Sequence, residues 1–592
     1  MSDLQTNNKL NEGLETRLRT GAEIFIDTLN ELGFEYIFGH TGGTVIPVYV
    51  EINKRLKDGR KTPKVVMYRQ EPGAGHAGEG YSKVSGRPSL VMVTSGPGAT
   101  NLVTPISDAY ADSVPVIFVT GQVGTDLIGN DAFQEVPITQ MTNLRTKKNY
   151  LVKSTEEIGV TLRQAFYIAS TGRPGPALID ICKDAFLKNS NNGYESDNPQ
   201  GYRPNTTLDE RVVDNMIEAF LNAKRPMIYA GGGIILSESS YFLRKFARKF
   251  DTPVGVTLMG LGTIDPKDRL SLGMLGMHGT VEANYAALNS DFILAIGARF
   301  DDRVVVSDFG RNAIIAHVDI DASEINKNRS VDYAINSNAR DFFNYVLEDS
   351  EDRQNSLSEW HRQIEKWRKL NPKYDENSET IKPQKLIEEV SELTSGGAIV
   401  TTGVGQHQMW VAKHYDFIEP RSLITSGGLG TMGFGLPAAI GAYYANPKKT
   451  IICFDGDGSF QMNMQELATI VANKIPIKTF IFNNGFLGMP RQWEDMFSEG
   501  NHFESCLYRT IDCSPECTSR NPCRKLNPDF LNLKHVYPGL NTLRITKTSE
   551  IRPALDVVFN TPGPFVVDVW IDKFEDILPI IPPGKGIEEM MY

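Results

Sequence analysis

Cysteine is scarce, with six residues in 592. That excludes a disulfide framework and reads as a reduced, cytoplasmic chain. Positive charge is not in excess either. Sixty-one Lys and Arg stand against 72 Asp and Glu, a net −11, which excludes wholesale binding to nucleic acid or an anionic membrane. No run is apolar enough to span a bilayer. The uncharged stretch Thr425 to Pro447 is long enough, but its six glycines and Pro437 leave it too polar, and it reads as a packed loop followed by a buried helix. Met1 to Arg19 has no apolar core, and Asp3, Glu12 and Glu15 rule out an acid-poor transit composition, so neither a signal nor a transit peptide is expected.

What is present is an alternation of apolar strand-like runs with helical patterns, the mark of an α/β chain with parallel sheets. Buried strands are expected at Leu90–Val93, Val116–Val119, Met227–Tyr229, Phe292–Ile296, Thr450–Phe454 and Ile477–Phe482. Several run into glycine, as at Ser95-Gly96-Pro97-Gly98, Gly231-Gly232-Gly233 and Gly456-Asp457-Gly458; the carboxyl ends of parallel strands are where open sheets bind ligands. Two polar segments read as linkers: Asn189 to Thr207, and the heavily charged Asp349 to Thr380, whose helical-looking middle ends at Asn371-Pro372. They divide the chain into three α/β domains, 20–188, 208–348 and 378–570, with a tail at 571–592. Similarity between the first and third is too weak to read as a repeat.

The sharpest chemical signal is in the third domain. The strand Thr450–Phe454 enters Gly456-Asp457-Gly458-Ser459, a helical pattern runs to about Asn473, and the strand Ile477–Phe482 ends at Asn483-Asn484. Twenty-four residues lie between Gly458 and Asn483, room for one helix and a return strand, so both loops fall side by side at one sheet edge. Asp457 offers a carboxylate, Asn484 an amide oxygen and Phe486 a backbone carbonyl, the oxygen set Mg²⁺ takes beside phosphates and water. Gly456 and Gly458 let the backbone approach phosphates, and the helix start favours their charge. The competing reading is a Gly/Asp turn with an unrelated Asn pair.

This arrangement resembles the diphosphate-binding motif of thiamine-diphosphate enzymes, and over nearly the whole chain the similarity is closest to catalytic subunits of the acetolactate (acetohydroxyacid) synthase family. The matching stretches include Glu71 with Gly73-Ala74, Thr94 to Asn101, Asp131 to Glu135, Met274 to Gly279, Arg299 to Arg303, Gly405 to Gln408 with Trp410, Ser426 to Gly435, and Met489 with Gln492-Trp493. The resemblance implies a thiamine-diphosphate-binding fold with a central FAD-type domain. Glu71 would activate the cofactor through its aminopyrimidine. Gln406 and His407 would contact the diphosphate end, the Gly430 carbonyl and Met432 would hold the pyrimidine, and Ser459 and Met489 would complete the cofactor site. Arg173, Met277, His278, Gly279 and Arg299 would lie near a structural FAD. Gln134 and Lys183 would line the substrate channel, and Arg303 and Trp493 would receive the carboxylate and side chain of the acceptor. The implied reaction decarboxylates pyruvate and passes the two-carbon unit to pyruvate or 2-oxobutyrate. The family also implies a homodimer or tetramer, Glu71 serving a cofactor bound by the partner's Asp457, and commonly a regulatory small subunit.

Four positions depart from the family pattern. Thr41, Gly124 and Cys182 stand where proline is usual, and Pro490 replaces a small aliphatic residue. They bear on the acceptor, leaving open a carboligase that uses a keto-sugar or aldehyde, or a simple 2-oxoacid decarboxylase. Residues Cys506 to Arg524 read as an insertion with Cys506, Cys513, Cys517 and Cys523, whose spacings of six, three and five residues match no zinc pattern. A reduced surface loop is expected there, with a metal or redox clip as the alternative.

Overall fold

The computed structural model describes residues 18–592 except 191–198, 200, 205, 305, 350–352, 354–355, 503 and 514–526. The chain forms two compact units. One holds the described residues up to Ser82 with Arg87–Arg203, and the other holds Lys83–Gly86 with Pro204–Tyr592.

The first unit carries a six-stranded parallel sheet of β1 (Tyr36–Gly39), β2 (Lys64–Met67), β3 (Ser89–Val93), β4 (Val116–Gln122), β5 (Lys148–Val152) and β6 (Ala177–Cys182), in the order β2-β1-β3-β4-β6-β5. A short antiparallel pair, Arg19–Thr20 with Asn189–Ser190, ties together the ends of this domain. The inner strands are continuous apolar runs because helices cover both faces of a parallel sheet; Leu90–Val93 and Val116–Val119 are fully buried.

The second unit contains two sheets. The central one is β7 (Pro226–Ala230), β8 (Val254–Val256), β9 (Ser271–Met274), β10 (Phe292–Ile296), β11 (Ile314–Asp319) and β12 (Tyr333–Asn336), ordered β9-β8-β7-β10-β11-β12. This is the doubly wound order of dinucleotide-binding folds. The third sheet is β13 (Ile399–Thr402), β14 (Leu423–Ile424), β15 (Ile451–Gly456), β16 (Lys478–Asn483), β17 (Asn541–Ile545) and β18 (Phe565–Trp570), ordered β14-β13-β15-β16-β18-β17. Its connectivity repeats that of the first sheet strand for strand. The two domains therefore share one topology that their side chains do not reveal, because burial constrains a strand only to be apolar.

All six expected strands form, and Gly435–Ala445 is the buried helix expected after the loop that starts at Thr425. Two expectations need revision. The helical pattern after Gly458 is not one helix but Asp457–Asn463, a 3-10 turn Met464–Glu466, and Leu467–Ala472. Asn463 leaves helical geometry at φ −136° and its buried amide donates to the Gly433 carbonyl at 2.8 Å, which interrupts the run. The charged segment after Asp349 is more than a linker. It contains the helix Ser358–Arg368, whose Trp360 and Ile364 are buried in the central core, with the Trp360 indole N–H donating to the Pro226 carbonyl at 3.0 Å. The tail also packs on that core through Ile581, Ile587 and Met590, and the Asp308 carboxylate accepts the Ile587 N–H at 2.7 Å.

Candidate active site

In the third sheet the strand order reverses between β13 and β15, the topological switch point where such sheets leave a crevice. Three loops meet there. After β13 comes Gly403 to Gly405 and then helix Gln406–His414; after β15 comes helix Asp457–Asn463; after β16 come Asn484 to Leu487 and helix Gly488–Phe497. They are tightly apposed. A Cβ on Gly403 would lie 1.9 Å from Asp455 Oδ1, and one on Gly456 would lie 2.9 Å from His407 Nδ1. The glycine at 456 thus makes room for His407. A Cβ on Gly458 would lie 2.9 Å from Leu487 Cδ2 and 3.7 Å from Met432 Cε.

Asp457 is buried, and that burial pushes its carboxyl up to about 7 against the opposing pull of the Gly485 N–H and the Asn527 amide. Its Oδ2 accepts the first at 2.9 Å and the second at 3.1 Å. Asn484 lies beside it and accepts the Phe486 N–H on Oδ1 at 2.9 Å. Asp457 and Asn484 therefore stand at the ends of adjacent strands, joined through the Gly485 N–H, with Phe486 two residues beyond Asn484. A buried carboxyl resisting ionisation is the group that a divalent cation would hold charged, so this oxygen set fits Mg²⁺. In the first unit, a buried trio of His76, Glu79 and Asp108 also stands within cation-bracketing distance, but His76 Nδ1 already bonds Glu79 Oε1 at 2.9 Å and its nitrogen suits Mg²⁺ poorly.

Around the loops, burial holds His407 neutral, its value pushed down to about 3, with Nε2 3.6 Å from Asp455 Oδ1. Gln406 donates from Nε2 to Gln492 Oε1 at 2.9 Å and to the Glu575 carbonyl at 3.0 Å. Those two acceptors fix the amide's orientation and leave its Oε1 buried without a hydrogen-bond partner. That free atom is an acceptor, so it suits a cation-bound water better than a phosphate oxygen. Ser459 accepts the Gly433 N–H at 2.9 Å, tying the Met432 loop to the Asp457 helix. Gly430 has φ +76°, in the left-handed region that favours glycine. Met489 packs against the third core.

The same unit brings Arg303 and Trp493 together, the guanidinium carbon 5.9 Å from the indole centroid. The Met277 N–H donates to the Arg303 carbonyl at 2.7 Å, and Arg303 Nη1 approaches Met277 Sδ at 3.8 Å, so the loop after β9 packs against the segment after β10 that carries Arg303. His278, buried beside Met277, is pushed down to about 4 by its burial and leaves Nδ1 without a hydrogen-bond partner. Gly279 closes that turn, where a Cβ would lie 2.6 Å from the Met274 carbonyl oxygen. Arg299 follows β10, its carbonyl accepting from Asn328 at 3.2 Å. The Gly231 to Gly233 turn lies at the central switch point, but a Cβ on Gly231 would lie 2.0 Å from the Gly297 carbonyl oxygen. Chain-to-chain packing alone accounts for the glycines there.

In the first unit, helix Glu71–Ser85 begins at Glu71, whose Oε2 accepts from the Asn101 amide at 2.9 Å. A Cβ on Gly98 would lie 3.5 Å from its Oε1. Gly96, at φ +59°, leaves room for Gln134, whose Cβ a Gly96 side chain would meet at 2.7 Å. Glu71 and Gln134 thus flank one turn, Ser95 to Asn101, at the carboxyl edge of the sheet. Lys183 is exposed at the start of helix Lys183–Leu187, immediately after β6. Arg173 donates from Nε to Ser113 Oγ at 2.9 Å.

Three family models describe the chain in order. They are the thiamine pyrophosphate enzyme N-terminal TPP binding domain over residues 19–142, its central domain over 213–346 and its C-terminal TPP binding domain over 403–569. The chain belongs to the thiamine pyrophosphate enzyme family. Among its relatives, acetolactate synthase 1, chloroplastic, of Oryza sativa subsp. japonica is 41% identical over 589 residues, covering 97% of this chain and 88% of the relative. The acetolactate synthase large subunit of Haemophilus influenzae is 40% identical over 585 residues, covering 97% and 98%. The protein is thus a thiamine-pyrophosphate-dependent enzyme of the acetolactate synthase group. Among the described residues, no helix is long and apolar enough to cross a membrane.

Thr41, Gly124 and Cys182 follow or end β1, β4 and β6, at the edge of the first sheet that carries Glu71. Pro490 is exposed on helix Gly488–Phe497. The insertion does not float free at its start. The Leu487 N–H donates to the Ser505 carbonyl at 2.7 Å and the Leu507 N–H to that of Gly485 at 2.9 Å, while Tyr508 packs over Gly485. Cys506 pairs with Phe486 through an antiparallel backbone bridge, and Cys513 Sγ accepts the Thr510 N–H at 3.3 Å. Cys517 and Cys523 lie outside the described residues. Sequence reading missed these contacts and Asn527, because a residue 70 positions from Asp457 leaves no local spacing signal.

Proposed function

We propose that the protein is the catalytic subunit of an acetolactate synthase, decarboxylating pyruvate and transferring the two-carbon unit to pyruvate or 2-oxobutyrate. The observation that carries the reading is Arg303 set against Trp493, in the same unit as the Asp457–Asn484 pair. A permanent planar cation beside an indole suits an acceptor with a carboxylate head and a short alkyl side chain. Thiamine diphosphate, when bound, supplies the electron sink for the carbon that loses carbon dioxide. Asp457, Asn484 and the Phe486 carbonyl would hold its Mg²⁺. Glu71, one oxygen pinned by Asn101, would present the other to the aminopyrimidine for general acid–base catalysis. Arg303 binds the acceptor carboxylate, Trp493 packs its alkyl group, and Gln134 and Lys183 line the approach.

The doubly wound central sheet and the unpartnered His278 Nδ1 support a structural FAD held by Met277 to Gly279 and Arg299. A homodimer supplies Glu71 to a cofactor bound by the other protomer. The Haemophilus relative is named a large subunit, which supports a regulatory small subunit as well. The substitutions at Thr41, Gly124 and Cys182 favour, as a second reading, a carboligase with a different acceptor. A competition assay with pyruvate and 2-oxobutyrate decides between them. Both acetohydroxyacids are expected as products; an assay in which neither oxoacid captures the two-carbon unit would overturn the first reading.

A further inference from the structure

Asp457 has two oxygens, and only one is needed for a cation. The other, Oδ2, is pinned from two sides, by the Gly485 N–H and by the Asn527 amide. Asn527 does not hold that place by chance of side-chain rotation. Gln461, one turn along the helix that starts at Asp457, donates from Nε2 to Asn527 Oδ1 at 3.5 Å and to the Asp457 carbonyl at 2.9 Å. With its oxygen facing a donor, the Asn527 amide must turn its NH₂ toward Asp457. The backbone that follows is anchored separately. Phe530 is buried against Phe460 of the same helix, ring centroids 5.6 Å apart, and Asp529 accepts the Leu531 N–H at 3.3 Å. Removing the Asn527 amide therefore leaves its chain segment in place.

We propose that Asn527, oriented by Gln461, is a positioning residue that sets the Asp457 carboxylate for Mg²⁺. The inference rests on the reading of Asp457 as a ligand of that ion. Residues that hydrogen-bond a metal ligand fix its orientation, and their loss typically costs 10–100-fold in metal affinity. A neutral amide does this without competing for the cation, whereas a carboxylate at the same place would offer itself as a ligand.

The test is a Mg²⁺ titration of the full-length chain at fixed thiamine diphosphate, read by calorimetry, with the thermal midpoint of the metal-free chain as a separate readout. Asn527→Ala is expected to weaken Mg²⁺ by roughly 10–100-fold with the metal-free midpoint unchanged. Gln461→Glu separates positioning from charge. A carboxylate there accepts instead of donating, so it turns the Asn527 amide around and aims its oxygen at Asp457. Added negative charge alone would strengthen Mg²⁺ binding, and positioning predicts that it weakens. Unchanged affinity in Asn527→Ala, or tighter binding in Gln461→Glu, overturns the proposal. Asp457→Ala run alongside distinguishes the failures: if it too keeps full affinity, the metal-site reading has failed; if it alone loses affinity, only the role of Asn527 has.

Discussion

Gly485 is the position where the site's geometry can be strained most directly. It lies between Asn484 and Phe486, has φ +75°, and donates its N–H to Asp457. A Cβ there would lie 2.1 and 2.2 Å from two ring carbons of Tyr508 and 2.3 Å from its hydroxyl oxygen, and that side chain is itself buried. Gly485→Ala therefore meets two penalties. Left-handed backbone costs an alanine roughly 1–2 kcal/mol, and forcing a methyl into a filled space costs typically about 1–3 kcal/mol. The ring is buried and has little room to swing away, and the Leu507 N–H holds the adjoining backbone to the Gly485 carbonyl. The loop relieves a strain of roughly 2–5 kcal/mol by moving Gly485 off Tyr508, and that motion breaks the bond to Asp457. Calorimetry should show Mg²⁺-dependent thiamine diphosphate binding weakened by at least about tenfold, the loss from one disturbed ligand contact. The double variant Gly485→Ala with Tyr508→Ala removes the clash and keeps only the backbone cost, so most of the affinity should return. Wild-type affinity in the single variant, or no recovery in the double one, would refute this reasoning.

Other outcomes follow from individual groups. Glu71→Gln keeps the Asn101 contact but removes the proton, so steady-state turnover should fall by at least roughly 10²-fold while cofactor binding persists; near-normal turnover would place cofactor activation elsewhere. Trp493→Leu should lose roughly 1–3 kcal/mol of preference for 2-oxobutyrate, and Arg303→Ala should divert more pyruvate to acetaldehyde, both read from product ratios in mixed-substrate assays. Unchanged ratios in both would remove these residues from the acceptor site. Asp180 is buried between Thr120 and Gln122, and burial pushes its carboxyl up to about 7. Its folded value lies above the unfolded one, so the folded chain keeps this proton longer. Its contribution to stability is full below about pH 4 and is lost as pH rises to about 7, by up to about 4 kcal/mol. Denaturation of Asp180→Asn across that range should show a shallower fall than the parent; identical slopes would mean that Asp180 is ionised throughout.

Much of this architecture was legible because parallel strands buried on both faces read as unbroken apolar runs, and all six expected ones form. The Gly456 to Ser459 and Asn483-Asn484 motifs were legible because one helix-and-strand excursion separates them, a distance that sequence spacing measures. The helix break at Asn463 was not, since it depends on a hydrogen bond to Gly433, thirty residues away. Nor was the packing of Trp360 and Ile364, because the dense charge around them outweighs two inward-facing side chains. Asn527 and Tyr508 were hidden for the same reason as the shared topology of the first and third sheets: their contacts arise from chain return, which leaves no periodic trace. The motif glycines were legible as close approaches, yet at 231 and 456 what approaches is the protein itself, Gly297 and His407.

The most direct test of the proposed activity supplies the full-length protein with thiamine diphosphate, Mg²⁺, FAD and pyruvate labelled at the carbonyl carbon, and follows products by carbon NMR alongside released carbon dioxide. Acetolactate with one carbon dioxide for every two pyruvates consumed is the expected result. Acetaldehyde with one carbon dioxide per pyruvate would mean that the two-carbon unit is protonated rather than captured, and would contradict the assignment of Arg303 and Trp493 as the site of a 2-oxoacid acceptor.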